Sequence, residues 1–404
     1  MAASMKSKFQ GSLVGAVVGD CIGACFEGGW HDRVEISNIL KVLRRIEKSS
    51  SPDSSPEKVK HKKLKADEIV FEFTDDTAMA RSVAKSLIQH KEFSATDLAR
   101  RFAEEYFREP GRGYGGSVAT VFHALRETNY EDVYRPAAGQ FEGQGSYGNG
   151  GAMRIAPAAL FACAKKYDFS KIAELTEQIT RLTHSHRQAI QGSILQCYMV
   201  NQCLLSSHPL PVDALMDSLI DTMKKLEGEE SEDQKNKPAE ASCERMEEDT
   251  NSEDRVEAGE ATDEKSPGEP TLKTYWQKLN IVREFVKRDT QPSVEEVTKQ
   301  LGVYIAALDS VPAALYCFLR ALNEIDGLEG RNGFERTIMY SISHGGDTDT
   351  VASMAGALAG AYYGLEMIPS SWQQSCEGVE EAKRDAALLY GLGEKHGVDI
   401  DSKI

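Results

Sequence analysis

The chain has 404 residues, 41% of them apolar, enough for one large packed domain or two medium ones. Its formal net charge of −16 excludes a protein that grips nucleic acid through its own surface field. The charge is uneven: residues 227–270 hold 17 Asp/Glu against 5 Lys/Arg and so carry −12 of it, leaving the rest nearly neutral.

The eight cysteines include no CxxC pair and mostly have apolar neighbours. That is the pattern of free thiols in a reducing compartment, not of a disulfide framework. The start, MAASMKSKFQ, has no apolar stretch that would make a signal peptide. The apolar run over residues 13–26 is broken by Gly15, Gly19, Asp20 and Gly23 and reads as too short to span a bilayer. A soluble intracellular protein without a membrane partner is expected. Within the run, Asp20 reads as a cap for a neighbouring helix or a partner for an arginine. Glu27 stands just before Gly28 and Gly29, where a helix would give way to a loop.

Residues 48–68, rich in Ser, Pro and Lys, read as a disordered loop. FTDDTAMA follows, leading into a helix marked by Met79, Val83 and Leu87 at four-residue steps. Leu98, Phe102 and Tyr106 mark the next helix. The segment FEGQGSYGNGGAMR, from Phe141 to Arg154, is a glycine-rich loop. The acidic residues 227–270 lack the aliphatic side chains that would order them and read as a second disordered insert. Both inserts interrupt the chain, so they belong to loops on one domain spanning 1–404. Leu279, Val282 and Val286 mark another helix. From Val351, VASMAGALAGAYYGL is apolar nearly all round and rich in Ala and Gly, as in a packed interior where helices approach closely. Two-residue alternation is scarce, and the expected fold is all-α.

Two acidic clusters carry the chemistry. Thr74, Asp75, Asp76 and Thr77 open one helix; Asp347, Asp349 and Thr350 in HGGDTDT open another. Helix capping explains one acid at each start but not two or three together. Packed carboxylates repel unless a positive charge lies between them. Oxygen donors without Cys or an obligatory His suit a hard cation, Mg²⁺ or Mn²⁺ rather than Zn²⁺. The glycines of the 141–154 loop permit positive φ and close approach, pointing amide N–H groups at phosphates, although the spacing is neither P-loop nor Rossmann.

These segments resemble the ADP-ribosylhydrolase family related to dinitrogenase-reductase-activating glycohydrolase. GDCIG with Glu27, FTDDTAMA, GSYGNGGAMR, LTH ending at His184, and GGDTDT occur in the family's order. The likeness is greatest to the serine-type branch, through GSYGNGGAMR, SVPAALYCFLR from Ser310, SISHGGDTDT from Ser341 and SWQQSCEG from Ser371.

The resemblance implies a single compact, orthogonal all-helical domain with a di-metal cleft that holds two Mg²⁺, with Mn²⁺ as the substitute. It implies Glu27, Thr74, Asp75, Asp76, Asp347, Asp349 and Thr350 as metal ligands, with Glu27 or Asp347 as general acid or base. Gln144, Gly145, Ser146, Tyr147, Gly148, Asn149 and Gly150 would cradle the diphosphate and distal ribose. Phe141, His184 and Ile305 would complete the ligand contacts, and His186 would be structural. The implied activity is hydrolysis at C1″ of ADP-ribose on serine, in proteins such as histones, and also of poly(ADP-ribose) and O-acetyl-ADP-ribose. Arginine-linked ADP-ribose is the alternative acceptor, and a catalytically inactive ADP-ribose-binding or structural relative is the alternative class. A monomer of the nucleus and cytoplasm, with a share in the mitochondrial matrix, completes the expectation.

Overall fold

The structure, a computed structural model, describes residues 3–28, 33–49, 70–233 and 274–394. Among these it holds seventeen α-helices and no strand, in agreement with the all-α reading. In chain order they are α1 (Met5–Gly23), α2 (Ile36–Ser49), α3 (Asp75–His90), α4 (Ala95–Arg108), α5 (Gly116–Glu127) and the single turn α6 (Arg135–Ala138). The next are α7 (Ala156–Ala164), α8 (Phe169–Thr180), α9 (Arg187–Leu205), α10 (Val212–Asp233), α11 (Tyr275–Lys287) and α12 (Val294–Leu301). The last are α13 (Ala307–Arg320), α14 (Gly333–Ser343), α15 (Thr348–Tyr363), α16 (Ser370–Ser375) and α17 (Val379–Glu394).

Helices α1 and α15 lie at the centre, packed along their whole length, with α14, α13 and α17 around them. Their side chains are small where they cross. A Cβ placed on Gly11 would fall 2.4 Å from Gly360 O, on Gly15 2.2 Å from Gly356 O, and on Gly19 2.1 Å from Ala352 O. The seam ends at Gly23, whose Cβ would fall 2.5 Å from the Asp349 Cα. Four glycines at four-residue spacing share one helix face, so the two backbones touch directly. The antiparallel pair thereby brings the end of α1 to the start of α15.

Residues Met5–Phe26 are long and apolar enough to cross a membrane, whereas the sequence reading began the run at residue 13 and judged it too short. Their burial against α15 accounts for the apolarity without a bilayer. The stripes read from spacing face inward: Met79, Val83, Leu87, Leu98, Phe102, Leu279 and Val282 are buried, with Tyr106 and Val286 partly so.

The two segments read as disordered, 48–68 and 227–270, lie mostly outside the described residues. What is described of the second, residues 227–233, is the end of α10. Glu227 is buried there and accepts hydrogen bonds from Tyr275 N at 2.7 Å and Trp276 N at 3.1 Å. The carboxylate thus caps the start of α11, a role that composition cannot reveal because its partners are 48 residues away.

The seam yields a stability prediction. Gly15→Ala forces a methyl into the Gly356 carbonyl and should cost about 1–3 kcal/mol in urea unfolding. Gly391→Ala in α17, where a Cβ meets nothing within 4 Å, should be neutral or stabilising by about 0.5–1 kcal/mol. Equal effects from both would contradict a backbone-to-backbone seam.

Candidate active site

Thr74 is the N-cap of α3, its hydroxyl oxygen accepting from Asp76 N at 3.3 Å. Asp20, fully buried in α1, reaches across to the same helix start. Its carboxylate accepts from Thr74 N at 3.1 and 3.2 Å, Thr74 Oγ1 at 2.9 Å, Thr77 N at 3.1 Å and Thr77 Oγ1 at 2.5 Å. Of the two sequence readings of Asp20, the cap is the one the structure bears out. It satisfies N-terminal donors of α3 and fixes the first acidic motif to α1. The other side of that motif is braced by Arg112, whose carbonyl accepts from Asp75 N at 2.7 Å. Its guanidinium bonds Phe73 O at 3.1 Å and both Glu377 oxygens at 2.7 and 3.0 Å.

The second motif sits at the start of α15. Asp347 N donates to Val303 O at 2.9 Å, Thr348 Oγ1 to Gly23 O at 2.9 Å, and Thr350 N to Asp349 Oδ1 at 2.7 Å. Thr350 Oγ1 donates to Asp76 Oδ2 at 3.0 Å, a direct link between the two motifs. Glu27 follows the single 3₁₀ turn Ala24–Phe26 after α1, and it is exposed. Carboxylate oxygens of Glu27, Asp347 and Asp349 lie within 4.8 Å of one another.

The electrostatics of this cluster are adverse without a cation. Burial, then the neighbouring Asp349 charge, raises Asp20 to about 7 and holds Asp75, Asp76 and Asp347 well above the usual carboxylate range. The same two causes raise Glu27. Converging carboxylates with raised pKa values take up protons or a metal. Asp76 Oδ1 is buried and has no hydrogen-bond partner, a lone pair left for a ligand. The donor set is all oxygen, so these residues fit a hard divalent cation.

The glycine-rich loop is stitched to the segment after α12. Asn149 N donates to Ile305 O at 2.8 Å and Ala307 N to Tyr147 O at 3.1 Å, an antiparallel bridge centred on Gly148 and Ala306. Tyr147 and Ile305 are about half exposed, at 50% and 51%, leaving an apolar face for a ligand. Phe141 and Gln144, in the first part of the loop, are exposed. Phe141 and Glu142 take φ of 49° and 57°, a left-handed conformation that is strained for side chains of this size. Gly145, with φ 75°, has no room for a Cβ: one would lie 2.0 Å from Ser185 Oγ. Ser146 is buried, and its carbonyl accepts from His186 N at 3.3 Å.

His184 lies under the loop, where a Cβ on Gly150 would meet its Cε1 at 2.5 Å and one on Gly148 its Nε2 at 3.3 Å. Burial, then the Arg154 guanidinium, lowers its pKa to about 3, so the imidazole is neutral. His186 caps α9 through Nδ1, which accepts from Gln188 N at 3.2 Å, the structural role expected for it.

Asn149 connects loop and acids. Its Nδ2 donates to Asp347 Oδ2 at 2.6 Å and to Ser310 Oγ at 3.1 Å, so both amide hydrogens are committed within the protein. Hydrogen bonds therefore join Asp20, Thr74, Asp76 and Thr350 to one another, and Asn149 of the loop to Asp347, while no bond links Phe141 or Gln144 to the acids among the described residues. Three contributors escaped the reading: the Arg112 brace, Ser310 and the buried Arg154. Arg154 alone left a signal, a charged residue followed by the apolar run IAPAALFACA.

The comparisons with known proteins agree with this geometry. The family described as ADP-ribosylglycohydrolase matches residues 1–398. The ADP-ribosylhydrolase ARH3 of Mus musculus is 40% identical over 392 residues, covering 96% of this chain and 92% of that protein. The protein of the same name in Homo sapiens is 39% identical over 397 residues, covering 98% of this chain and 96% of its own. A solved structure titled ADP-ribosylglycohydrolase-related protein complex aligns with a TM-score of 0.54 at 21% identity, covering 96% of this chain and 99% of the other, which bears on the fold alone. The chain is a glycosidic-bond hydrolase, and it belongs to the ADP-ribosylglycohydrolase family.

Proposed function

We propose that this ADP-ribosyl hydrolase removes ADP-ribose from serine in modified proteins such as histones, using two Mg²⁺. The observation that carries the reading is the Asn149–Asp347 hydrogen bond, which joins a loop suited to a diphosphate to the carboxylate cluster. A ligand with phosphates beside a ribose matches that adjacency. The name ADP-ribosylhydrolase borne by the mouse and human relatives supports it. The serine preference over arginine rests on the likeness of the loop, SVPAALYCFLR and SWQQSCEG stretches to serine-type enzymes.

In the reaction, the bond between the serine oxygen and C1″ breaks, that oxygen takes a proton, and a water oxygen bonds to C1″ while losing one. When bound, the cations supply positive charge and lower the pKa of a coordinated water. The carboxylates stabilise the positive charge that develops at C1″. Glu27, exposed beside Asp347 and Asp349, serves as the proton donor to the serine oxygen on this reading. Asp347 is already engaged by Asn149 and suits a positioning role. Poly(ADP-ribose) and O-acetyl-ADP-ribose share the linkage at C1″ and are further substrates on this reading. None of the seven described cysteines forms a disulfide, which supports a reducing compartment, the nucleus and cytoplasm with a share in mitochondria. The chain acts as a monomer on this reading.

Release of ADP-ribose from a serine-modified histone peptide is the test. Release with Mg²⁺, none with EDTA, and a loss of about 100-fold or more in Asp349→Ala are expected. Release only from an arginine-linked peptide would replace the acceptor. Binding of ADP-ribose without release from either would make the chain a binding module. Independently, Mg²⁺ should raise the melting temperature of the wild type but not of Asp349→Ala, and calorimetry in two buffers should show protons released on binding. A metal that binds without releasing protons would contradict the raised carboxylate pKa values.

A further inference from the structure

Arg154 is wholly buried between the glycine-rich loop and α7. Its Nη1 donates to Gly150 O at 2.8 Å, and its Nη2 to Ile179 O at 3.2 Å and Thr180 O at 3.5 Å. The guanidinium lies 4.7 Å from the Phe102 ring centroid. Among the described residues no carboxylate pairs with it, and its Nε is buried without a partner. The acid that acts on it through space is Asp75, a residue of the acidic cluster. Burial lowers its pKa to about 9, which leaves it cationic at neutral pH.

A structural role is plain: the side chain ties the last carbonyls of α8 to Gly150, where a cation also suits the helix C-terminus. That role does not require so deep a charge. A buried guanidinium with no carboxylate partner carries a desolvation cost that a neutral donor would avoid. The charge lies directly beneath Gly150, with the neutral His184 ring against the same glycine. An anion on the outer side of the loop would add to the distant counter-charge of Asp75.

We propose that Arg154 is a positioning residue for the diphosphate of ADP-ribose. Bonded to Gly150, it holds the loop in anion-binding form and attracts the phosphates without touching them. This rests on the ADP-ribose reading above.

Arg154→Lys keeps the charge at acidic pH and sheds it as pH rises, whereas Arg154→Gln keeps donors and carries no charge at any pH. ADP-ribose affinity by calorimetry with Mg²⁺, steady-state kinetics on the serine-linked peptide and melting curves separate the two roles. The expected result at about pH 6 is affinity within about threefold of wild type for Lys and a loss of about tenfold or more for Gln, with KM raised and kcat within about threefold. A Gln variant that binds as wild type, or Lys and Gln variants equally weak with kcat falling alongside, would overturn the proposal while leaving the hydrolase reading intact. A wild type that binds no ADP-ribose would end both. Should Gln not fold, Lys carries the test through pH: a buried lysine loses its charge far below its ordinary pKa, so affinity should fall as pH rises. A profile for Lys as flat as that of wild type between about pH 6 and pH 8 would overturn it.

Discussion

The structure depends on one close approach, the glycine seam between α1 and α15. Gly11, Gly15, Gly19 and Gly23 let two backbones meet, and the meeting is antiparallel. Everything chemical lies at one end of it. Gly23 abuts Asp349, Glu27 follows within one turn, and Asp20 in the same helix reaches out to cap α3. Three helices thus deliver acids to one place because two of them cannot be moved apart.

The cost of that convergence is electrostatic. Burial and the shared neighbour Asp349 raise the pKa of Asp20, Asp75, Asp76 and Asp347. A fold that holds such a cluster needs compensation from protons or a cation, and the surrounding bonds restrain the carboxylates. Thr350 restrains Asp76, Asn149 restrains Asp347, and Arg112 braces the backbone at Asp75. The glycine-rich loop participates in the same network through Asn149, so the loop and the carboxylate cluster are mechanically one unit.

Much of this was legible in the sequence, for identifiable reasons. Paired acids at two helix starts are hard to explain as caps, and apolar residues at three- or four-residue steps announced α3, α4 and α11. What stayed hidden depends on partners distant in the chain. Gly15, Gly19 and Gly23 read as interruptions of an apolar run, because their spacing has meaning only once Gly356 and Gly360 lie opposite. Glu227 read as part of an acidic insert, because the amides it caps belong to Tyr275 and Trp276. Asn149 read as a ligand contact; the Asp347 that takes its hydrogen is 198 residues on.

The central claim is that the two acidic motifs form one divalent-metal centre. Anomalous diffraction from crystals grown with Mn²⁺ tests it most directly. The account predicts two anomalous peaks bounded by Asp75, Asp76, Asp347 and Asp349. Peaks elsewhere, or none among these carboxylates at saturating Mn²⁺, would contradict it.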